Sequence, residues 1–281
     1  MKNIETLISK SVNVTRSRKV KPLLSVFPET LDEKEQFDSL ALNLLTDYTK
    51  IITKLPKKFN IAELCYTHVG NSNQFDIQYN FVSKRFRFNN VSVACLSFYF
   101  LDTKNSKELI LENIQGNIRL DDRQYSYKQI NHVFDKLRTF YGVDWRQGLF
   151  QQVYNYGKKQ GMTVRGKIPG MFYDTNSFEA AYPLYALNYL GVYLQIGIHL
   201  DDIVFKKSSD KWNSHWQNVV SYLKNKSPEE RIILVKKAAK EYRTFFTRNK
   251  HIWKYEHKMD EIIFKKNCEN EYKRIFSEIL S

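Results

Sequence analysis

Cysteine is scarce in this chain of 281 residues, which contains three. The spacing of Cys65, Cys95 and Cys268 matches no zinc-ligand or redox motif, and three thiols cannot all pair within one chain. Cys65 and Cys95 fall in apolar runs, where a free thiol behaves as a small hydrophobic side chain. We therefore expect reduced cysteines, no metal site and a cytoplasmic location.

Long apolar runs are also missing. The most apolar region, Leu184 to Leu200, is interrupted by Asn188, Gln195 and His199, so it falls short of the roughly 18–20 residues that cross a bilayer. The first 21 residues are polar and basic, and they lack the apolar core and the small-residue cleavage site of a secretory signal. We expect no transmembrane segment and no secretory signal.

Short catalytic signatures are absent as well. The chain contains no GxSxG, HExxH, P-loop, paired CxxC or dinucleotide-binding motif. Two adjacent aspartate pairs occur, Asp121–Asp122 and Asp201–Asp202. A metal or general-base role for either pair would need partners that the sequence does not locate, and such pairs are more often turns or caps. The sequence by itself names no substrate.

Aromatic and apolar residues are abundant, at 15% and 42% of the chain. This content argues against disorder, because disordered chains lack the apolar surface that offsets the entropy lost on folding. A chain of this length can form one large domain or two small ones. We divide it into a basic arm and helix over 1–57, a sheet-and-helix core over 58–206 and a basic helical region over 207–281.

Positive charge is in excess and unevenly distributed. The net charge is +14, and residues 206–281 carry 18 Lys and Arg against 10 Asp and Glu, a net charge of +8. This excess favours an acidic or phosphorylated partner, such as nucleic acid, an anionic membrane surface or a phosphorylated cofactor. The alternative is an ordinary solvated helical surface.

The hydrophobic pattern predicts an α+β fold with a mainly antiparallel central sheet, flanked by helices and extended by helices at both ends. A helix is predicted from Leu31 to Ile52, where apolar residues recur every three or four positions. After Pro56 the chain changes to alternating β-branched and aromatic residues. The predicted strands are Phe59–Val69, Phe75–Phe81, Phe86–Leu101 and Glu108–Ile114, the last two forming a hairpin.

The segment from Phe140 to Gly170 has the most informative order of signals. Ser126 and Gln129 form a capping box for a preceding helix. Gly142 and Asp144 then open an amphipathic helix, which ends at Gly161. The free N–H groups of its first turn form an anion site that Arg146, Gln147 and Gly148 extend. Ordinary packing of a capped helix is the alternative.

The later segments are predicted from their periodicity. Alternation from Met162 to Ile168 predicts a strand, and alternation from Leu190 to Leu200 predicts another. For the second segment a buried helix is the alternative, but two glycines inside a helix would each cost about 1 kcal/mol. A helix follows Phe205, and a second is capped by Ser227, Pro228 and Glu230.

Glu112 is the most unusual candidate for catalysis. It lies among Leu109, Ile110, Leu111 and Ile114 in a predicted central strand. A carboxylate in such a place is a general base with a raised pKa, or it lies on the solvent face of the strand.

The order of these elements resembles two known groups. A meander, a helix with a glycine-containing first turn, a strand and then a helix started by an asparagine resemble the acyl-CoA-binding core of the GCN5-related N-acetyltransferase (acyl-CoA N-acyltransferase) superfamily. More narrowly, FYF followed by LILENIQG, a helix and YGVDWRQGLFQQVYNYGKKQGMTVRGKIPG resembles the VirK/YbjX family, which is associated with bacterial virulence. The similarity covers roughly Phe98 to Gly170.

The resemblance implies acyl-CoA as cofactor and an acyltransferase activity toward an amine or a hydroxyl. In the acetyltransferase superfamily, a loop before the central helix binds the pyrophosphate, an asparagine follows the next strand, and a tyrosine protonates the departing thiolate. The resemblance implies Tyr185 or Tyr182 as a catalytic residue, which joins the Glu112 candidate taken from the strand pattern. The implied cofactor-binding residues are Gln115, Gly142, Arg146, Gln147, Gly148 and Asn176.

A second class of function stays open from the residues themselves. The chain could be a non-catalytic basic protein whose C-terminal helices bind nucleic acid or an anionic membrane surface. Trp212, Trp216, Trp253 and Tyr255 would then supply aromatic contacts, although aromatic residues at helical spacing more often form a core. The sequence does not predict the oligomeric state.

Overall fold

The computed structural model describes residues 58–69, 72–83, 88–103, 106–116, 126–168, 176–205, 210–249 and 258–280. The predicted N-terminal arm and the helix from Leu31 to Ile52 lie outside these residues, as do Asp121 and Asp122. Within them the chain has an α+β fold with helices flanking a mixed sheet. The predicted fold class is confirmed at this level.

The first four strands form the predicted meander. Each strand pairs antiparallel with the next, and the hairpin predicted from Phe98 to Leu111 is confirmed. The strands are β1 (Phe59–Val69), β2 (Ser72–Ser83), β3 (Phe88–Thr103) and β4 (Ser106–Gly116).

Helices dominate the rest of the described chain. The capping boxes predicted at Ser126 with Gln129 and at Ser227 with Glu230 are both formed. The elements are α1 (Tyr127–Tyr141), α2 (Trp145–Lys159), β5 (Thr163–Ile168), α3 (Asn176–Gln195), β6 (Ile203–Phe205), α4 (Asp210–Lys224), α5 (Pro228–Asn249) and α6 (Lys258–Leu280).

The sheet is mixed, which corrects the prediction of a mainly antiparallel sheet. The strand order follows the chain, from β1 to β6. β5 and β6 pair in parallel, with Gly166 opposite Ile203 and Ile168 opposite Phe205. The physical reason is the connection between them, because a helix such as α3 carries the chain back to start a parallel strand, whereas a tight turn makes an antiparallel one.

The prediction of a strand from Leu190 to Leu200 is wrong. Residues up to Gln195 belong to α3, and buried residues recur along that helix at helical spacing. The alternation misled because α3 buries side chains over most of its circumference. Gly191 packs beside Val235 of α5, and Gly197 lies beyond the helix end at a φ of 90°. Neither glycine therefore carries the full cost expected for an exposed helix interior.

The chain divides into two compact units, Met1–Val164 and Arg165–Ser281. This boundary falls within β5, inside the 58–206 segment that the sequence suggests as one core. The first unit contains β1 to β4, α1 and α2 in its described part. The second contains α3 to α6 and β6.

The two units have different cores. In the first, the apolar rows of β3 and β4 are buried together with Leu149, Phe150 and Val153 of α2. In the second, aromatic rings predominate, and Trp216 lies within 6.1 Å of Tyr272 between ring centroids. None of the described helices is both long and apolar enough to cross a bilayer.

Candidate functional site

A β-bulge interrupts the pairing of β3 and β4 at Glu112. Ser97 pairs with Asn113, but the next residue, Phe98, pairs with Leu111, so Glu112 has no opposite residue in the register. Such bulges bend a strand, re-aim side chains and are over-represented beside active sites. The glutamate that the sequence singles out therefore occupies the irregular position of a central strand, where its side chain is half-buried.

Helix α2 shows why the bulge is needed. Near its C-terminal end, the Cβ position of Gly157 lies 3.5 Å from a methyl group of Leu109. Near its start, Trp145 lies 3.7 Å from the Cβ position of Gly116. Leu109 and Gly116 are seven positions apart, so a regular strand would place them on opposite faces. The extra residue at Glu112 brings both ends of β4 under the same helix.

The bulge also separates an apolar row from a polar one. The residues of β3 in register with the helix-facing side of β4 are Ala94, Leu96, Phe98 and Phe100, all buried. The alternate positions of β3 include Cys95, which is half-buried, and Ser97, which is 8% exposed. Ser97 stands opposite Asn113. A residue with a hydroxyl, one with an amide and one with a carboxylate thus occupy adjacent positions of the sheet.

Gln115 is in register with Cys95, two residues from Asn113. Its backbone lies beside Gly116, the residue that Phe134 and Trp145 approach. The C-terminal end of β4 and the first turn of α2 are therefore neighbours. The end of β4 and the turn from Gly142 to Gly148 therefore lie at one end of the first unit. The register position of Gln115 belongs to the row of Cys95 and Asn113, on the face of the sheet opposite α2.

The turn itself has the predicted helix boundaries. Gly142 ends α1 at a φ of 70°, and Asp144 caps α2 by accepting a hydrogen bond from the N–H of Arg146 at 3.0 Å. The N–H of Gly148 donates to the backbone oxygen of Asp144 at 2.9 Å. Two backbone amides of the predicted anion site therefore already donate hydrogen bonds within the protein, and the Asp144 carboxylate lies at the centre of that site.

Arg146 remains partly accessible. Its guanidinium lies 4.4 Å from the centroid of the Trp145 ring and 3.9 Å from the Asp144 carboxylate. Trp145 is buried and stacks on Phe134 at 5.0 Å. Because 43% of the Arg146 side chain is exposed, this cation can still meet an anion from solvent. Gln147, the next residue, is half-buried.

Gly148 packs against Tyr141. A Cβ atom at Gly148 would lie 2.3 Å from Cγ of the Tyr141 ring, so the absent side chain makes room for that ring and not for a ligand. Burial raises the pKa of the Tyr141 hydroxyl above its usual range, and Gln152 opposes the rise in part. Gln152 lies close to this hydroxyl, but the two side chains do not have hydrogen-bond geometry.

The remaining predicted residues belong to the second unit. Tyr182 is buried, and its ring meets Trp216 edge to face at 6.5 Å. Tyr185 is 46% exposed on α3. Asn176 is the first residue of that helix. Asp201, from the second aspartate pair, forms an ion pair with Lys224, which lowers the pKa of its carboxyl.

A crevice of about 10 Å³, room for about one water molecule, lies among the helices of the second unit. Its lining is apolar and includes Leu187, Val219, Leu223 and Ala238. It is smaller than the roughly 300–1,000 Å³ of typical ligand pockets, and it offers no charged group. Within the described residues, no group of three or more His, Cys, Asp or Glu is placed to hold a metal ion.

Sequence reasoning missed Ser97 and Asn113. Both lie in apolar strands and carry no motif, and only the register places them opposite each other beside Glu112. The one signal in the sequence is the polar pair Glu112–Asn113 inside LILENIQG, because two consecutive polar residues break a strict alternation.

Comparisons with protein-family models, curated proteins and solved structures find no match for this chain.

Proposed function

We propose that the first unit carries an acyltransferase site, with the bulge of β4 at the reacting centre and acyl-CoA as the acyl donor. The observation that carries this proposal is the bulge at Glu112, which sets a half-buried carboxylate beside Ser97 and Asn113 in a central strand. The end of this strand lies against the first turn of α2, while Ser97 and Asn113 belong to the opposite face of the sheet.

The turn from Gly142 to Gly148 fits a phosphorylated cofactor only in part. The amides of Arg146 and Gly148 are occupied, and the space above Gly148 is filled by Tyr141. The guanidinium of Arg146 does fit, because it is partly exposed and its planar fork pairs well with phosphate oxygens. Arg146 is therefore the proposed phosphate contact, and Gln147 is the next polar side chain along α2.

The proposed role of Glu112 is that of a general base. A bound acyl-CoA would supply a thioester, and the acceptor would supply an amine or a hydroxyl. Glu112 takes a proton from that acceptor, while Ser97 and Asn113 offer hydrogen bonds that orient the acceptor. A carboxylate at this place is well suited to the task, because the residues before and after it, Leu111 and Asn113, are held by pairing with β3.

The resemblance implies a tyrosine as the acid that protonates the departing thiolate, and both candidates belong to the second unit. Tyr185 presents an exposed side chain on α3. Tyr182, three residues earlier, is buried against Trp216. The proposal for the first unit assigns no step to either tyrosine.

The test is an assay of free thiol released from acetyl-CoA by the full chain in the presence of primary amines. Glu112→Gln keeps the shape of the side chain but removes the base, so the rate should fall about 100-fold or more. Glu108→Gln, on the same strand, is the matched control and should retain activity. Equal rates for both variants, with unchanged thermal unfolding, would remove Glu112 from the mechanism.

A further inference from the structure

Helix α5 presents a row of cations to solvent. Its buried side is made of Val235, Ala238, Ala239 and Tyr242. Lys236, Lys240 and Arg243 lie on the opposite, exposed side at spacings of four and three residues, with Lys237 and Arg248 alongside. These five residues, which we name the α5 basic face, extend over about 18 Å of helix.

Little of this charge is neutralised by the carboxylates that the structure describes. Among the described residues, no ion pair involves Lys236, Lys240 or Arg248. Lys237 has one carboxylate partner, Glu241, at the long distance of 3.9 Å. Arg243 donates to the side-chain oxygen of Asn188. A face that is rich in cations and poor in acids attracts polyanions.

An exposed aromatic ring lies beside the α5 basic face. Arg243 donates a hydrogen bond of 3.0 Å to Asn188 of α3. Tyr185 lies one turn before Asn188 on the same side of α3, and it is 46% exposed. By contrast Trp216, one of the aromatic residues expected to bind a partner, is buried in the core at 1% exposure.

These features favour single-stranded nucleic acid over a membrane. A membrane-surface helix inserts an apolar face between lipids. The apolar row of α5 is buried, and Ile233 is the one large apolar side chain of this helix that is exposed. Single strands are bound by cations that follow the phosphates and by aromatic rings that stack on unpaired bases. The α5 basic face and Tyr185 supply both kinds of contact.

We infer that the α5 basic face, together with Tyr185, binds single-stranded nucleic acid through its phosphates and one stacked base. This site lies in the second unit and is independent of the acyltransfer proposed for the first. A loss of binding therefore leaves that proposal untouched, and a loss of thiol release leaves this one untouched.

Fluorescence anisotropy of a labelled 20-nucleotide poly(U) oligomer with the full chain tests the inference. If about four cations contact phosphates, the affinity should fall about 50-fold between 50 and 200 mM salt. A duplex of the same length should bind more weakly than the single strand. The deoxy-oligomer dT20 distinguishes RNA from DNA as the source of the same chemistry.

Two pairs of lysine variants distinguish binding by the α5 basic face from general attraction by the net charge of the protein. Lys236→Gln with Lys240→Gln should weaken binding by about tenfold or more and reduce the salt dependence, because two phosphate contacts are lost. Lys128→Gln with Lys136→Gln removes the same charge from the exposed face of α1 and should have little effect. Tyr185→Ala should weaken binding about fivefold or more, whereas Tyr185→Phe keeps the ring and should bind normally.

Three outcomes would overturn the inference. The first is equal loss in both lysine pairs, which would mean attraction by net charge alone. The second is a Tyr185→Ala variant that binds like the wild type while duplex and single strand bind equally. The third is absence of oligonucleotide binding together with sedimentation on vesicles containing 30% phosphatidylserine, which would assign the face to a membrane surface.

Discussion

At the scale of single residues, the glycines show that a sequence can mark the right position while its structural role differs from the predicted one. The sequence suggests Gly148 as a point of close backbone approach for a cofactor. In the structure the close approach is made by the ring of Tyr141. The positions of Gly142 and Gly161 were predictable, because both hold left-handed backbone at helix ends. The partner of Gly148 was not, since it depends on how α1 and α2 pack.

Gly148→Ala tests this packing. The added methyl group would lie 2.3 Å from Cγ of Tyr141, so we expect the free energy of unfolding to fall by about 1–3 kcal/mol. Urea denaturation measures the change. The penalty should shrink in a Tyr141→Ala background, whereas Gln147→Ala should cost little in either. Strictly additive effects of Gly148→Ala and Tyr141→Ala would contradict the contact.

At the scale of elements, the amphipathic pattern predicted most of the described helices and all four strands of the meander. Where one face of an element is buried and the other is exposed to solvent, the spacing of apolar residues in the sequence shows the helical or strand period directly. The pattern failed at Leu190–Leu200, where α3 is buried on several sides and its period is hidden. It also gave no warning of the bulge at Glu112, because a bulge is defined by the partner strand.

The first turn of α5 is stabilised by a capping box whose contribution depends on pH. Glu230 accepts a hydrogen bond of 2.9 Å from the N–H of Ser227, and this bond lowers the pKa of its carboxyl. Since the pKa is depressed in the folded state, the ionised group stabilises the fold above its unfolded pKa. That stability is lost as the pH falls through the folded value.

Glu230→Gln should therefore flatten the dependence of the thermal midpoint on pH in the acid range, from neutral pH down to about pH 3. The glutamine can keep the bond to Ser227 but carries no charge. Glu229→Gln, in the same turn, is the control, because the Ser227 amide is bonded to Glu230. Circular dichroism measures both. A wild-type slope in the Glu230→Gln variant would contradict this account.

At the scale of the whole molecule, composition predicted an excess of positive charge and its concentration in the C-terminal helices. It could not show which cations are exposed together, since that depends on the buried side of α5. The candidate site was predictable to a similar degree. The sequence names Glu112, Gln115 and the turn at Gly142 as candidates, and their roles stay predictions, whereas the pairing of Ser97 with Asn113 required the strand register.

The central claim is that the end of β4 and the first turn of α2 hold an acyl-CoA through Arg146. Isothermal titration calorimetry of acetyl-CoA into the full chain tests it most directly. Arg146→Ala removes a charge-assisted contact and should weaken binding by about 1.5–3 kcal/mol. Arg138→Ala, in the last turn of α1, is the matched control and should bind like the wild type. Absence of wild-type binding at millimolar acetyl-CoA, or equal binding by Arg146→Ala, would contradict the account.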